Sequence, residues 1–407
     1  MDEQEAITKA QALLNRPGDA NVSPLAVYRR AAKADSVQQR RPNVVLIMME
    51  SMSAKFMKHF GQSETLTPFL DSLYTRSISF RNFYSAGIHT NHGLYATLYS
   101  FPAMMKRNLM KGSVIPRYSG LPTVLQENGY CNLFFMTHES QYDNMNAFLR
   151  TNGFDEIYAQ ENYPSEKVVN SFGVQDDFMY QYALPILNER AGTGNPFFSV
   201  LLSISNHPPY VIPPYFHPHS DVLEEQIVEY ADWSIRQFMQ AAEKQPWFDN
   251  TIFVFLGDHG KMVGTPECEM PQSYNHIPLM IYGKDIKPGV YDGFGGQVDV
   301  SPTLLGLLNI SYLQNNFGVN LLEEERPCMF FTADNLIGAR DSVNMFIYSP
   351  DSQQEFKYKL EEGKLHAATG TDEEAFRNLK DYCFSMLQST ESLVKEHKTL
   401  DKVSVKK

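Results

Sequence analysis

Asp258 and His259 close the apolar run "TIFVFLGDH", residues 251–259. A carboxylate and an imidazole are costly to bury unpaired. An apolar run that ends on both therefore sets a hard oxygen and a ring nitrogen where a charged species can use them. Other runs end in the same way. "NVVLIMM" (43–49) ends on Glu50-Ser51, "NLFFM" (132–136) on Thr137-His138-Glu139, and "PFFSVLLSI" (196–204) on Ser205-Asn206-His207. A surface turn explains any one of these endings. It does not explain all of them, because turn residues belong equally to both ends of strands. Ligands of open parallel sheets bind outside the carboxyl ends of the strands. At such an edge Glu50, Asp258 and His259 supply two carboxylates and one imidazole. That donor set suits Mn²⁺, Mg²⁺ or Zn²⁺ and not a soft metal.

The set lacks a nucleophile, and the stretch "SAGIHTNHGLYATLYSFP" (85–102) offers one. A loop after "ISFRNFY" turns into a helical stretch that begins near Asn91. Thr90 then stands at a helix N-terminus, where unpaired N–H groups and the helix dipole favour an anion. A hydroxyl there, ionised beside a metal, can attack phosphorus; the plain alternative is an N-cap. His89 and His92 flank Thr90 and read as surface or supporting histidines rather than ligands. His276 immediately precedes the run "IPLMIY" and belongs to a loop, not to a carboxyl end.

The apolar runs are continuous rather than alternating, as expected of strands covered on both faces. Helix signals lie between them. "TPFLDSLYTRS" offers Thr67 as N-cap and Pro68 at the first helical position, and "LPTVLQENGY" stops at Gly129. "EEQIVEYADWSIRQFMQAAEK" and "SPTLLGLLNI" carry apolar residues at helical spacing. The alternation predicts an α/β fold: a mostly parallel central sheet with helices on both faces. After about residue 328 the texture changes to a small antiparallel sheet with a turn at Gly363, then a long helix and a frayed tail. The expected division is a lead-in over 1–42, with an amphipathic helix or two and the basic segment "RRAAKADSVQQRRP", an α/β catalytic domain over 43–327, and a C-terminal α+β part over 328–407.

The chain has 407 residues, 43% of them hydrophobic, and a formal net charge of −12. The charge argues against nucleic acid and against adsorption to anionic lipid through a basic face. Cys131, Cys268, Cys328 and Cys383 form no close pair, which excludes a zinc ribbon and a thioredoxin-type motif and predicts free thiols. No run reaches the roughly 18 apolar residues of a membrane span, and the acidic start "MDEQEAITKAQALL" is no signal peptide, so the chain as it stands reads as soluble.

"NVVLIMMES", "TPFLDSL", the threonine loop, "GDHG" and "VDVSPTLLGLLNI" together resemble the alkaline phosphatase superfamily, sulfatase-like branch. Sulfatases carry a cysteine or serine within C/S-x-P-x-R. No such motif is present, and a threonine stands in the equivalent place. "NVVLIMMES", "GIHTNHGLYA", "SISNHPPY" and "FLGDHGK" are similar to the lipoteichoic acid synthase and phosphoglycerol transferase group, over roughly residues 22–320. The resemblance implies one divalent metal, Mn²⁺ first with Zn²⁺ or Mg²⁺ as alternatives, held by Glu50, Thr90, Asp258 and His259. It implies that Thr90 attacks the phosphodiester of phosphatidylglycerol, releases diacylglycerol, and passes phosphoglycerol to a glycan or glycerol-phosphate hydroxyl. His207 would hold the phosphate oxygens or assist the leaving group, and His138, His276 and Asn91 are further candidate substrate contacts. That group places a tryptophan and an arginine shortly after the equivalent of His138. Here the segment reads "THESQYDNMNAFLRTNGF", with no tryptophan and with Arg150 further along. A different head group or acceptor is therefore open. Relatives of that kind usually carry membrane helices ahead of this domain, and "NVSPLAVYRRAAK" looks like the segment that follows them. The expected setting is the extracytoplasmic face of a bacterial membrane. A phosphoethanolamine transferase, a phosphodiesterase or sulfatase-like hydrolase, and an inactive envelope-binding domain are the competing readings.

Overall fold

The structure is a computed structural model and describes residues 1–17, 19, 25, 27–29, 41–112, 114–361, 363–368 and 373–399. Most of the basic lead-in segment and the tail from residue 400 lie outside the described residues. The central sheet has eight strands: β2 (Asn43–Met49), β3 (Ile78–Tyr84), β4 (Cys131–Met136), β5 (Glu156–Tyr158), β8 (Phe197–Leu202), β9 (Thr251–Gly257), β10 (Leu279–Tyr282) and β11 (Gly289–Gly296). Their order is β11-β3-β10-β9-β2-β8-β4-β5. β2 pairs in parallel with β9 and β8, β8 with β4, and β4 with β5. β10 is antiparallel to both β9 and β3, and β3 is parallel to β11. β10 alone therefore runs against the rest.

Among the described residues ten α-helices pack around the strands: α1 (Glu3–Leu14), α2 (Pro68–Tyr74), α3 (Thr90–Tyr99), α4 (Leu121–Glu127), α5 (Met145–Thr151), α6 (Asp176–Ala191), α7 (Leu223–Ala242), the single turn α8 (Gln272–Asn275), α9 (Val300–Leu307) and α10 (Glu373–Lys395). β2 shows why its sequence is apolar throughout. Val45, Ile47 and Met49 pack with α2, α6 and α7 on one face. Val44, Leu46 and Met48 pack with α3, α4 and α9 on the other. Successive strand side chains point to opposite faces, so a strand covered on both sides has no position for a polar residue until it ends.

The segment after residue 328 forms a second sheet in the order β13 (Met329–Thr332), β14 (Ile337–Arg340), β15 (Asn344–Ser349), β16 (Gln354–Glu361) and β17 (Lys364–Ala367), antiparallel throughout. Gly363 takes φ +78° between the last two strands, a conformation that favours glycine. Two short pairs complete the sheets: β1 (Val27–Arg29) with β12 (Tyr312–Gln314), and β6 (Val168–Asn170) with β7 (Gly173–Val174). No helix of the described residues is long and apolar enough to cross a membrane.

Candidate active site

β2, β4, β8 and β9 run the same way, so their carboxyl ends share one edge of the sheet. β3 runs the same way too, and the loop after it delivers Thr90 to that edge as the first residue of α3. Glu50, Thr90, Asn91, His207 and His259 line one cleft of about 700 Å³, and Asp258 lies beneath it, fully buried. Ligand atoms of Glu50, Asp258 and His259 all fall within 4.8 Å of one another. His259 Nε2 is 3.8 Å from Glu50 Oε1 and 3.6 Å from Asp258 Oδ2. Thr90 Oγ1 donates to Glu50 Oε2 at 3.4 Å.

The surrounding bonds hold these groups in place. Asp258 Oδ1 accepts from the backbone N–H groups of Ser51 (2.8 Å) and His259 (2.7 Å). Its Oδ2 is buried without a hydrogen-bond partner. Ser51 adopts φ +51°, uncommon for a residue with a side chain, and its hydroxyl donates to Glu50 Oε1 at 2.6 Å. His259 Nδ1 donates to the Gly260 carbonyl at 2.7 Å, which leaves Nε2 with its lone pair facing the two carboxylates. Burial raises the Glu50 pKa well above the ordinary carboxylate range, and the Asp258 charge raises it further. Two carboxylates held together, one with an orphaned oxygen, and an imidazole lone pair aimed between them fit a hard divalent cation. Glu50, Asp258 and His259 are the residues that would hold it, with the Thr90 hydroxyl beside them.

The other predicted residues are placed as follows. His207 lines the cleft, packs at a tilt against Phe172 with centroids 4.1 Å apart, and donates from Nδ1 to the Pro208 carbonyl at 2.6 Å. Asn91 lines the cleft, donates to Asp143 Oδ2 at 3.1 Å, and keeps a buried, unpartnered Oδ1. His138 is buried beneath Tyr142, with ring centroids 4.8 Å apart and Nδ1 bonded to the Glu139 carbonyl; burial lowers its pKa. His276 is not brought to the cleft. It stands ahead of the reversed strand β10, where its ring stacks on Tyr84 (5.2 Å), meets the edge of Phe60, and places Nε2 2.8 Å from the Arg81 carbonyl. Its position at the start of the reversed strand put it at the right edge, but aromatic packing turned it aside. His92 is buried with its pKa lowered to about 3, chiefly by desolvation, while His89 lines the cleft and pairs with Asp334 at 2.6 Å. Arg150 is bonded to Asn146 and the Asp155 carbonyl and does not line the cleft.

Sequence reasoning passed over Lys261, Asn206 and Gln297. Lys261 lines the cleft, and burial lowers its pKa to about 8. Asn206 donates from Nδ2 to the carbonyls of Glu50 (3.1 Å) and Ser51 (3.2 Å). Gln297 donates to the carbonyls of Gly257 (3.0 Å) and Asp258 (2.6 Å) and accepts from Ala86 N–H (2.9 Å). A lysine three positions after Asp258 was a visible signal. Asn206 stood at the end of an apolar run, but a lone Asn there reads as a turn residue, and Gln297 had no signal.

An α/β sheet with a threonine hydroxyl at a helix N-terminus and an acid–acid–imidazole cluster at its carboxyl edge brings together the groups that metal-assisted phosphoryl or sulfuryl transfer uses. The sulfatase family model matches residues 42–310, more than half of the chain, and the chain belongs to that family. It is 24% identical over 339 residues to lipoteichoic acid synthase 2 of Bacillus subtilis (strain 168), covering 73% of this chain and 50% of the relative. It is 26% identical over 331 residues to phosphoglycerol transferase I of Xanthomonas campestris pv. campestris (strain B100), covering 76% of this chain and 47% of the relative. The chain thus spans about half the length of these curated relatives. A crystal structure of an alkaline phosphatase superfamily protein from Vibrio parahaemolyticus superposes with TM-score 0.86 at 25% identity, covering 99% of this chain and 98% of that one. That of the lipoteichoic acid synthase LtaP from Listeria monocytogenes gives TM-score 0.74 at 21% identity, covering 88% and 93%. Enzymes of this superfamily are metal-dependent, in keeping with the Glu50, Asp258 and His259 cluster.

Proposed function

We propose that the chain is the catalytic domain of a phosphoglycerol transferase that moves phosphoglycerol from phosphatidylglycerol to a glycan or glycerol-phosphate acceptor, at the extracytoplasmic face of a bacterial membrane. The observation that carries this reading is Thr90. Its hydroxyl opens α3, donates to Glu50, and faces the cleft beside the carboxylate and imidazole cluster. A divalent cation bound by Glu50, Thr90, Asp258 and His259, Mn²⁺ before Zn²⁺ or Mg²⁺, would supply positive charge beside the threonine hydroxyl and the phosphoryl oxygens. Thr90 Oγ forms a bond to phosphorus as the bond to the diacylglycerol oxygen breaks, and diacylglycerol leaves with a proton. An acceptor hydroxyl then displaces Thr90, which regains its proton. The N-terminus of α3 favours the phosphate charge. With Nδ1 donating to the Pro208 carbonyl, His207 presents Nε2 to the substrate, where it donates when protonated and accepts when neutral. The relatives' names support phosphoglycerol as the group transferred; the donor and acceptor are part of this proposal. A phosphoethanolamine transferase or a phosphodiesterase would share the nucleophile. All four cysteines are free thiols, which speaks against the disulfide-rich phosphoethanolamine enzymes.

Incubating Mn²⁺-loaded protein with phosphatidylglycerol and analysing the Thr90 peptide by mass spectrometry tests the reading. A phosphoglycerol adduct on Thr90, with diacylglycerol released and both lost in Thr90→Ala, is the expected result. Activity that survives Thr90→Ala removes Thr90 from the chemistry. An ethanolamine-phosphate adduct from phosphatidylethanolamine, with none from phosphatidylglycerol, changes the donor.

A further inference from the structure

Among the described residues Lys261 is the one lysine or arginine that lines the cleft. The bend that carries it is tightly held. Gly260 N–H donates to the Tyr274 carbonyl at 2.8 Å, and a Cβ on Gly260 would lie 2.0 Å from the Ser273 carbonyl oxygen. From there Lys261 Nζ donates to Asn206 Oδ1 and, at 3.3 Å, to the Tyr210 hydroxyl. It also stands 4.9 Å from the Tyr210 ring centroid and 5.4 Å from that of Phe56. Asn206 is fixed with its oxygen toward the lysine, because its nitrogen is bound to the carbonyls of Glu50 and Ser51. Two aromatic faces and an amide oxygen make the kind of box that receives an ammonium ligand. Glu224 and Glu225 on the cleft wall would strengthen that attraction. In this chain the box is already filled from within. Asn206 also ties it to the backbone of Glu50, so it lies beside the reacting centre and not at a remote end of the cleft.

We propose that Lys261 is a specificity-determining residue: its amino group occupies the aromatic and amide box that an amine-bearing head group would need, so the site selects phosphodiesters whose head group is an uncharged polyol. The inference rests on the reading of the site as a phosphodiester-cleaving centre and deepens it. Rejection has two sources. The space is taken, and a second ammonium beside the first is repelled, which is specificity obtained against a competitor rather than for a ligand. A glycerol head group carries no charge and can accept from the Tyr210 hydroxyl, whose proton the Lys261 contact leaves free.

The test uses the full chain carrying Thr90→Ala, loaded with Mn²⁺, and calorimetric titration with glycerol 1-phosphate and with O-phosphoethanolamine. Repeating it with Lys261→Met and Lys261→Gln, each checked for an unchanged melting transition, isolates the lysine. The expected result is a preference for glycerol 1-phosphate of about tenfold that disappears or reverses in both lysine variants. A preference that persists without the lysine overturns the proposal. Equal weakening of both ligands also overturns it, since Lys261 would then be a phosphate contact, and so does failure of either ligand to bind the lysine-containing protein. Phosphatidylglycerol cleavage by the Thr90 enzyme is followed alongside. If it is absent while the lysine variants still switch the preference, the functional reading falls and the role of Lys261 stands.

Discussion

Glu50 carries the sharpest conflict of any residue in the cleft. It is buried, it lies beside a second buried carboxylate, and its pKa is raised well above the ordinary range, first by desolvation and then by Asp258. A carboxyl group whose pKa is raised on folding contributes stability below its unfolded pKa, and that stability is lost as pH rises toward the folded value. The metal-free protein should therefore lose stability as pH rises from the ordinary carboxylate range through the raised value of Glu50. Divalent metal requires the ionised form, so its stabilising effect should grow over the same window. Glu50→Gln should melt above wild type without metal on the alkaline side of the window and gain little from Mn²⁺. Melts with and without Mn²⁺ at several pH values check this; an equal metal-induced rise in variant and wild type would show that Glu50 is no ligand. At this scale the sequence was most legible where a polar residue broke an apolar run. Glu50, His207, Asp258 and His259 announced themselves that way, and a hydroxyl at a helix start marked Thr90. Gln297 did not, and Lys261 showed only its nearness to Asp258 in the chain, because their partners lie 39 and 55 positions away and only folding brings them together. His276 misled for the opposite reason: it reaches the right edge, but its ring is held by Tyr84 and Phe60.

Elements act on the site through how closely they approach. The first turn of α3 lies directly on the end of β9: a Cβ on Gly93 would come 2.1 Å from the Asp258 carbonyl oxygen. Gln297 grips that same carbonyl and the Ala86 N–H ahead of the Thr90 loop, so one amide sets the spacing between that loop and the end of β9. Gly93→Ala must push α3 off β9. The expected cost is about 1–3 kcal/mol, as for other overpacked sites, together with weaker Mn²⁺ binding as Thr90 moves away from Glu50. Denaturant midpoints and metal titration measure the two effects; a variant equal to wild type in both would mean that the close approach does not set the site. Strand and helix identity could be read from period and punctuation, as in β2 and α7. Direction could not: nothing in "IPLMIY" says that β10 runs against its neighbours. α6 was hidden by Pro185 in its interior, although its buried Met179, Ala183 and Leu187 keep helical spacing.

At the scale of the molecule, the segments that read as lead-in and C-terminal appendage close onto the sulfatase part. α1 buries Ala6, Ile7, Ala10 and Leu14 and packs against α10. Thr332 of β13 donates its N–H to the Ala86 carbonyl in the Thr90 loop at 2.9 Å, and Asp334 reaches His89 at the cleft. These contacts join residues hundreds of positions apart, which no local pattern encodes. Arg326 is the deepest of the ties. Its Nε bonds Asp299 Oδ1 (2.9 Å) and Oδ2 (2.8 Å), and its Nη1 donates to the Tyr382 hydroxyl of α10 at 3.1 Å. Both partners of the ion pair are almost wholly buried, and the Asp299 charge helps hold the Arg326 pKa up. Removing one member of such a pair strands the other, at a cost of about 3–5 kcal/mol. In Arg326→Met, Asp299 would keep, among the described residues, the N–H groups of Gly296 and Val319. Trp233 and Trp247, the two tryptophans of the chain, stand on or just after α7, on the sheet face away from α10. Their fluorescence therefore reports unfolding at a distance from the substitution. If sheet, C-terminal strands and α10 form one cooperative unit, Arg326→Met lowers the tryptophan transition and the far-ultraviolet transition together, by the full amount. If the C-terminal part unfolds by itself, the tryptophan midpoint stays at the wild-type value while the far-ultraviolet signal splits in two, and the tie through Arg326 would be local packing rather than a bond between the halves of the molecule.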